Sequence, residues 1–211
     1  MNIFLIMILA IFATTGRVFF LIFLSIITGW FLSYASVKSK LFEEIYIPLT
    51  EIFESVPVIS FFPIVLMIFV INIGGIMGIE LAVDFLVFTA VVWNIWMGEY
   101  QAFKTVPNEM VEVSENLNMG ILQKLRYVYI PFSIPRVAAN LFPSVSDGYF
   151  YIAVSEVFTV GTTQYHAFGI GSLLVEFYSK NEMNYVFYAL LFQAIIVGTV
   201  IILLRKYSKY A

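Results

Sequence analysis

Pro107-Asn108-Glu109-Met110-Val111-Glu112-Val113-Ser114-Glu115-Asn116-Leu117-Asn118-Met119-Gly120 is a polar stretch in a largely apolar chain. Met110, Val113 and Leu117 recur at intervals of three and four, the spacing of one helix face. Pro107 suits the first turn of a helix. Glu109 and Glu112 fall near its positive end, where carboxylates are favoured. Asn118 and Gly120 tolerate left-handed backbone, a common way to stop a helix and turn the chain. Ile121 to Tyr129 predicts a second helix, ending at Ile130-Pro131. The stretch thus predicts a short amphipathic helix, a sharp turn, and a helix feeding the next element.

On either side the chain is too apolar to face water. Its 211 residues are 61% hydrophobic and 12% charged, against about 45–50% and about 25% in soluble domains. A bilayer as solvent removes the conflict, because the outside of the bundle is then meant to be apolar. The 18% of aromatic residues, 22 Phe among them, fits helices that face lipid and anchor at its interfaces. Apolar runs near the length needed to cross, about 20 residues, are Val18–Tyr34, Leu81–Phe103, Val137–Val157 and Tyr185–Leu204. Ile45–Ile73 is broken by Pro48, Pro57 and Pro63 and reads as a short helix, a turn, and a span from Val58 to Val70. Asn2–Ala13 lacks a basic leader and a small-residue cleavage site, so it reads as a retained helix. Short for a span, it is expected to be interfacial or tilted, or hinged to the next helix at Thr14-Thr15-Gly16. Thr159–Ser172 reads as a Gly- and Thr-rich loop. The whole chain, 1–211, forms one membrane domain with a core of 17–204 and the polar loop 107–131.

Placing that loop in the cytoplasm and letting each span cross once puts all the basic residues except Arg17 and Lys180 on the cytoplasmic side, as the positive-inside rule requires. The C-terminus is then cytoplasmic as well. The absence of cysteine excludes disulfides and thiolate chemistry, and one histidine, His166, excludes a His-rich metal site. No cofactor is expected, and a net charge of -3 gives no sign of a nucleic-acid partner. No glycine-rich phosphate loop is present, so uphill transport would draw on a partner or an ion gradient.

The polar loop resembles the cytoplasmic loop of ABC importer permeases, whose pattern is Glu-Ala-Ala, three residues, Gly, nine residues, then Ile-x-Leu-Pro. Glu112 takes the Glu position, Val113 and Ser114 the two small positions, and Val128-Tyr129-Ile130-Pro131 the ending. Asn118 stands where the family has glycine. Pro57 to Pro63 followed by Asn72-Ile73-Gly74, and Trp93-Asn94-Ile95-Trp96-Met97-Gly98 with Val106-Pro107, also resemble permease segments. Ser155-Glu156-Val157 followed by Gly169-Ile170-Gly171 resembles the nitrate, sulfonate and taurine branch. The resemblance implies an all-α membrane protein of the type I permease kind, with five core transmembrane helices, a short N-terminal hydrophobic helix and a cytoplasmic coupling helix. It implies an importer subunit, not an enzyme, with a separate ABC ATPase subunit that hydrolyses ATP. A second permease copy or related permease, an extracytoplasmic substrate-binding protein and the lipid bilayer of the plasma membrane are the other expected partners. Glu112, Val113, Ser114, Leu117, Asn118, Met119 and Gly120 would then contact the ATPase. An amphipathic helix lying on the membrane is the alternative reading of the same residues.

Ionisable groups at membrane depth are functional candidates by default. Asp147 and Glu156 lie nine residues apart on one predicted helix and so face different ways. Each is expected either to line the pathway or to pair with another subunit, with Asn94 as an uncharged companion and the resemblance favouring Glu156. Gly148 would permit close helix approach. Asp84 and Glu99 are expected near opposite ends of their span, solvated at the interfaces. His166 is expected to be structural or exposed. A secondary transporter or channel subunit, or a structural subunit of a larger membrane complex, would also account for acids in the spans. The transporter or channel reading does not explain the helix, turn and helix of Pro107–Arg126, and a structural subunit would show no transport when reconstituted.

Overall fold

A computed structural model describes residues 3–160 and 163–208. The chain is built from helices packed along their lengths, with one small hairpin. Helix α1 (Ile3–Lys38) packs against α4 (Gly75–Lys104), and α4 against α7 (Ile130–Ser155). These three form the centre of the bundle. Their shared core holds Val18, Leu21, Ile22, Leu86, Val87, Val91, Ile95, Val145 and Ile152. Glycine sets one of the close approaches. A Cβ on Gly148 would meet Val18 Cγ1 at 2.8 Å and Val91 Cγ1 at 3.1 Å, so α7 passes close to both α1 and α4 here. Trp96 Nε1 ties α4 to α1 by donating to Ser25 O and Thr28 Oγ1, both at 3.1 Å.

The expected hinge at Thr14-Thr15-Gly16 is absent, and the short N-terminal helix is the first part of α1. Gly within a helix costs only about 1 kcal/mol relative to Ala, and both threonines are fastened elsewhere. Tyr149 OH donates to Thr15 Oγ1 at 3.0 Å, and Ile170 N donates to Thr14 Oγ1 at 3.0 Å. Met7, Ala10 and Ile11 of this half pack against Ile170, Leu173, Phe177 and Ala189.

Helix α2 (Lys40–Ser55) begins at Ser39, whose Oγ accepts from Phe42 N. It stops at Val56-Pro57, which have extended backbone. A 3-10 turn (Val58–Phe61), α3 (Phe62–Val65) and a π-helical segment (Leu66–Ile73) then run on at 99° to α2. The expected short helix, proline turn and further helix are all present. Gly74 and Gly75, at φ 71° and 63°, turn the chain into α4.

Helix α5 (Asn108–Asn116) is followed by α6 (Ile121–Lys124), a π-helical segment (Leu125–Tyr129) and α7, which run on in helical backbone. Pro131, expected to end the second helix, lies inside this run, as does Pro135. Pro131 falls in the first turn of α7, where its missing N–H matters least, and the preceding turn loosens so that Ile130 N donates to Leu125 O.

The expected loop Thr159–Ser172 is largely ordered structure. Strands β1 (Val157–Val160) and β2 (Thr163–His166) pair antiparallel, with Val157 opposite His166, and α8 (Ile170–Ser179) follows. Asn181, at φ 58°, turns the chain into α9 (Met183–Ser208), which packs along the edge of the bundle with its outer face exposed. Among the described residues three helices, α1, α4 and α9, are long and apolar enough to cross a membrane, and the bent pair from α2 to Ile73 makes a fourth. α7 has the length but not the apolar composition, because Pro135, Arg136, Asn140, Pro143 and Asp147 interrupt it.

Candidate coupling helix and membrane cavity

Helix α5 is closed at both ends by its own backbone. Pro107 O accepts from Met110 N at 3.1 Å and Val111 N at 3.3 Å. At the other end Asn118 takes φ 50°, Asn118 N donates to Glu115 O at 2.9 Å, and Met119 N donates to Ser114 O at 3.0 Å. This is the Schellman arrangement, with asparagine in the left-handed position. Gly120 was expected to share that role but has φ -68° and instead caps α6, its N–H donating to Gln123 Oε1 at 2.9 Å.

The two faces of α5 differ. Val111 packs against a small core of Phe103, Val106, Leu125, Val128 and Tyr129, and Ser114 is buried with its hydroxyl donating to Val111 O. Val113 and Leu117 are 55% and 62% exposed, Met110 is 39% exposed, Glu112 is exposed and Met119 is half-buried. A shallow cavity of about 220 Å³ lies between Met110, Val113, Met119 and Val128. Glu115 fastens the helix to its neighbours, accepting from Lys38 Nζ at 3.2 Å and lying 3.5 Å from Lys124 Nζ. The hydrogen bond from Lys38, then the charges of Lys38 and Lys124, hold the Glu115 carboxyl below its usual range.

Asn94 and Asp147 meet on one cavity of about 380 Å³. Its walls are the break at Glu54–Val58, the middle of α4 at Thr89, Ala90, Trp93 and Asn94, and Asp147 and Tyr151 of α7. The Asn94 backbone is held from the other side, where Asn140 Nδ2 donates to its carbonyl at 2.7 Å.

Residues 21–209 match the family described as the binding-protein-dependent transport system inner membrane component. The chain belongs to that family. Comparison of the permease with curated proteins returned no match. Family and apolar helices together make it a multi-pass protein of the inner or plasma membrane and a transport component rather than an enzyme.

In the permease Glu156 lies away from the cavity, fully buried, and its partners belong to its own chain. Thr14 Oγ1 donates to Oε1 and Gly171 N to Oε2, each at 2.6 Å, and Arg17 Nη1 lies 3.5 Å away. A Cβ on Gly169 would coincide with this carboxylate, so the glycines that follow the hairpin make the room it fills. Arg17 also pairs with Glu80 and, at 3.1 Å, with Asp84. Asp84 is therefore ion-paired rather than simply solvated, and an Arg in an apolar run was the signal for such a partner.

Glu99 departs furthest from expectation. It is 0% exposed, and neither oxygen has a hydrogen-bond partner among the described residues. Its carboxyl occupies the space that Gly29 leaves open on α1. Sequence position gave no sign of this, because the match of Gly29 to Glu99 depends on how α1 and α4 are rotated against each other.

Proposed function

We propose that this permease is the membrane-spanning subunit of an ATP-driven importer, that two permeases together enclose the pathway, and that α5 docks on a separate ATPase subunit. The exposed apolar face of α5, on a helix fixed at both ends, carries the reading. A helix lying on a membrane would bind through the same residues, but Glu115 pins α5 to Lys38 and Lys124 and leaves Val113 and Leu117 turned away from its own bundle. Such a face suits a groove in a protein partner. Glu112, Val113, Leu117 and Met119 are the contact residues, Ser114 the packed base, and Asn118 and Gly120 the turn.

In the same reading α1, the bent pair, α4, the run 121–155 and α9 each cross the membrane once. The α5 turn and the end of α9 are cytoplasmic, and an extracytoplasmic binding protein delivers the substrate. Asn94 and Asp147 line the path. Glu156 braces the opposite end. The residues that support the nitrate, sulfonate and taurine branch, Ser155–Val157 and Gly169–Gly171, are those that enclose Glu156, so the likeness speaks to architecture rather than to substrate.

Gentle-detergent purification of the tagged permease from its native membrane, with its partners identified by mass spectrometry, tests the reading. A P-loop ATPase at near-equal stoichiometry is expected. Glu112→Ala with Leu117→Ala should abolish its recovery and uncouple ATP hydrolysis from uptake while the permease stays folded in the membrane. Recovery of the permease with no nucleotide-binding partner would instead favour an ion-coupled transporter or a structural subunit.

A further inference from the structure

The cavity at the helix break has one sign of charge. Glu54 and Asp147 line it, and no Lys, Arg or His is among its lining residues. The side chains of Glu54, Asn94, Asp147 and Tyr151 and the Trp93 indole N–H make no hydrogen bond or ion pair with any described residue, so their polar atoms are left for whatever enters. The cavity lies midway along α4, and the extended backbone of Val56-Pro57 forms part of its wall. Non-helical backbone at such depth is tolerated where it lines a cavity or is buried in protein. Trp93 also lines a neighbouring, almost wholly apolar cavity of about 370 Å³ and stacks on Phe53 at 5.7 Å.

We propose that this cavity is a substrate site for small organic cations, such as amines, quaternary ammonium compounds or cationic heterocycles, and that it disfavours oxyanions. Two carboxylates without a counter-charge attract a cation and repel an anion. Asn94, Tyr151 and the Trp93 indole N–H line the same space and supply neutral hydrogen bonds for orientation. A volume of about 380 Å³ falls in the range of small-molecule sites, about 300–1,000 Å³. The assignment rests on the reading of the chain as an importer permease, and it separates the substrate from the anions that the sequence resemblance suggests.

The test is equilibrium binding of labelled choline and labelled N-methylpyridinium to the purified complex, with methanesulfonate and the uncharged choline analogue 3,3-dimethylbutanol as competitors. Both cations are expected to bind, neither competitor to displace them at equal concentration, and Asp147→Asn to weaken binding at least tenfold. Glu54→Gln, at an exposed position, provides the same readout should Asp147→Asn fail to fold. Displacement by methanesulfonate or by the neutral analogue, unchanged binding in both variants, or no cation binding at all would overturn the proposal. ATPase recovery in the same preparation separates the two failures. A complex that holds its ATPase but binds no cation removes only the substrate class, whereas loss of the ATPase removes the importer reading whatever binds.

Discussion

Gly29 and Glu99 share one place in the packing of α1 against α4. A Cβ at Gly29 would fall on the Glu99 carboxyl and 2.7 Å from Trp96 Cδ1. The carboxyl sits at the end of a flexible chain, but the indole is held by two hydrogen bonds to α1. Gly29→Ala should therefore destabilise the permease by about 1–3 kcal/mol, the usual range for overpacking, read as a lower unfolding temperature in detergent. Glu99→Ala in the same chain should restore part of that loss, and a double mutant no more stable than Gly29→Ala alone would refute the shared site. Residue types foretell some of this scale. Asn118 adopts the left-handed backbone its type suggests, because that property is local. The pairings of Arg17 with Asp84 and Glu156 were not legible, because they join residues 67 and 139 positions apart.

At the scale of elements, α5 is seated by Val111 and Ser114 and fastened near its end by one carboxylate shared by two lysines. A carboxyl held below its usual range contributes while ionised, so the Glu115 contact is complete above the ordinary Glu value of about 4.3 and is lost as pH falls through the lowered one. A spin label on Asn116→Cys should keep one mobility from neutral pH down to about pH 5 and loosen only in stronger acid. Glu115→Gln should loosen it at neutral pH, and a label indifferent to that change would remove Glu115 as the fastening. The helix, the turn and the following helix were readable because the period, the asparagine and the prolines all lie within one stretch of chain. The hairpin and α8 were not. Their glycines suggest a loop, and only the burial of Glu156 beneath Gly169 and Gly171 shows why the backbone is ordered there.

For the whole molecule, the chain's freedom from cysteine makes orientation directly measurable. A membrane-impermeant thiol reagent applied outside intact cells should label Ser179→Cys, at the end of α8, and should reach Asn116→Cys, on α5, only after the membrane is opened. Labelling of both from one side would overturn the proposed topology. Composition and the placement of Lys and Arg carried the membrane reading, since both are properties of the entire chain. The extent of α1 was hidden, because Thr14-Thr15-Gly16 has the composition of a hinge and its bracing comes from Tyr149 and Ile170. That continuity has a mechanical consequence. Arg17 and Lys38 stand about 32 Å apart on one unbroken helix, the first held by carboxylates of α4 and α7, the second by Glu115 of α5. With no joint between them to absorb rotation, a tilt of about 10° at the α5 end would displace the Arg17 end by about 5 Å, and in the proposed topology the two sides of the membrane would move together.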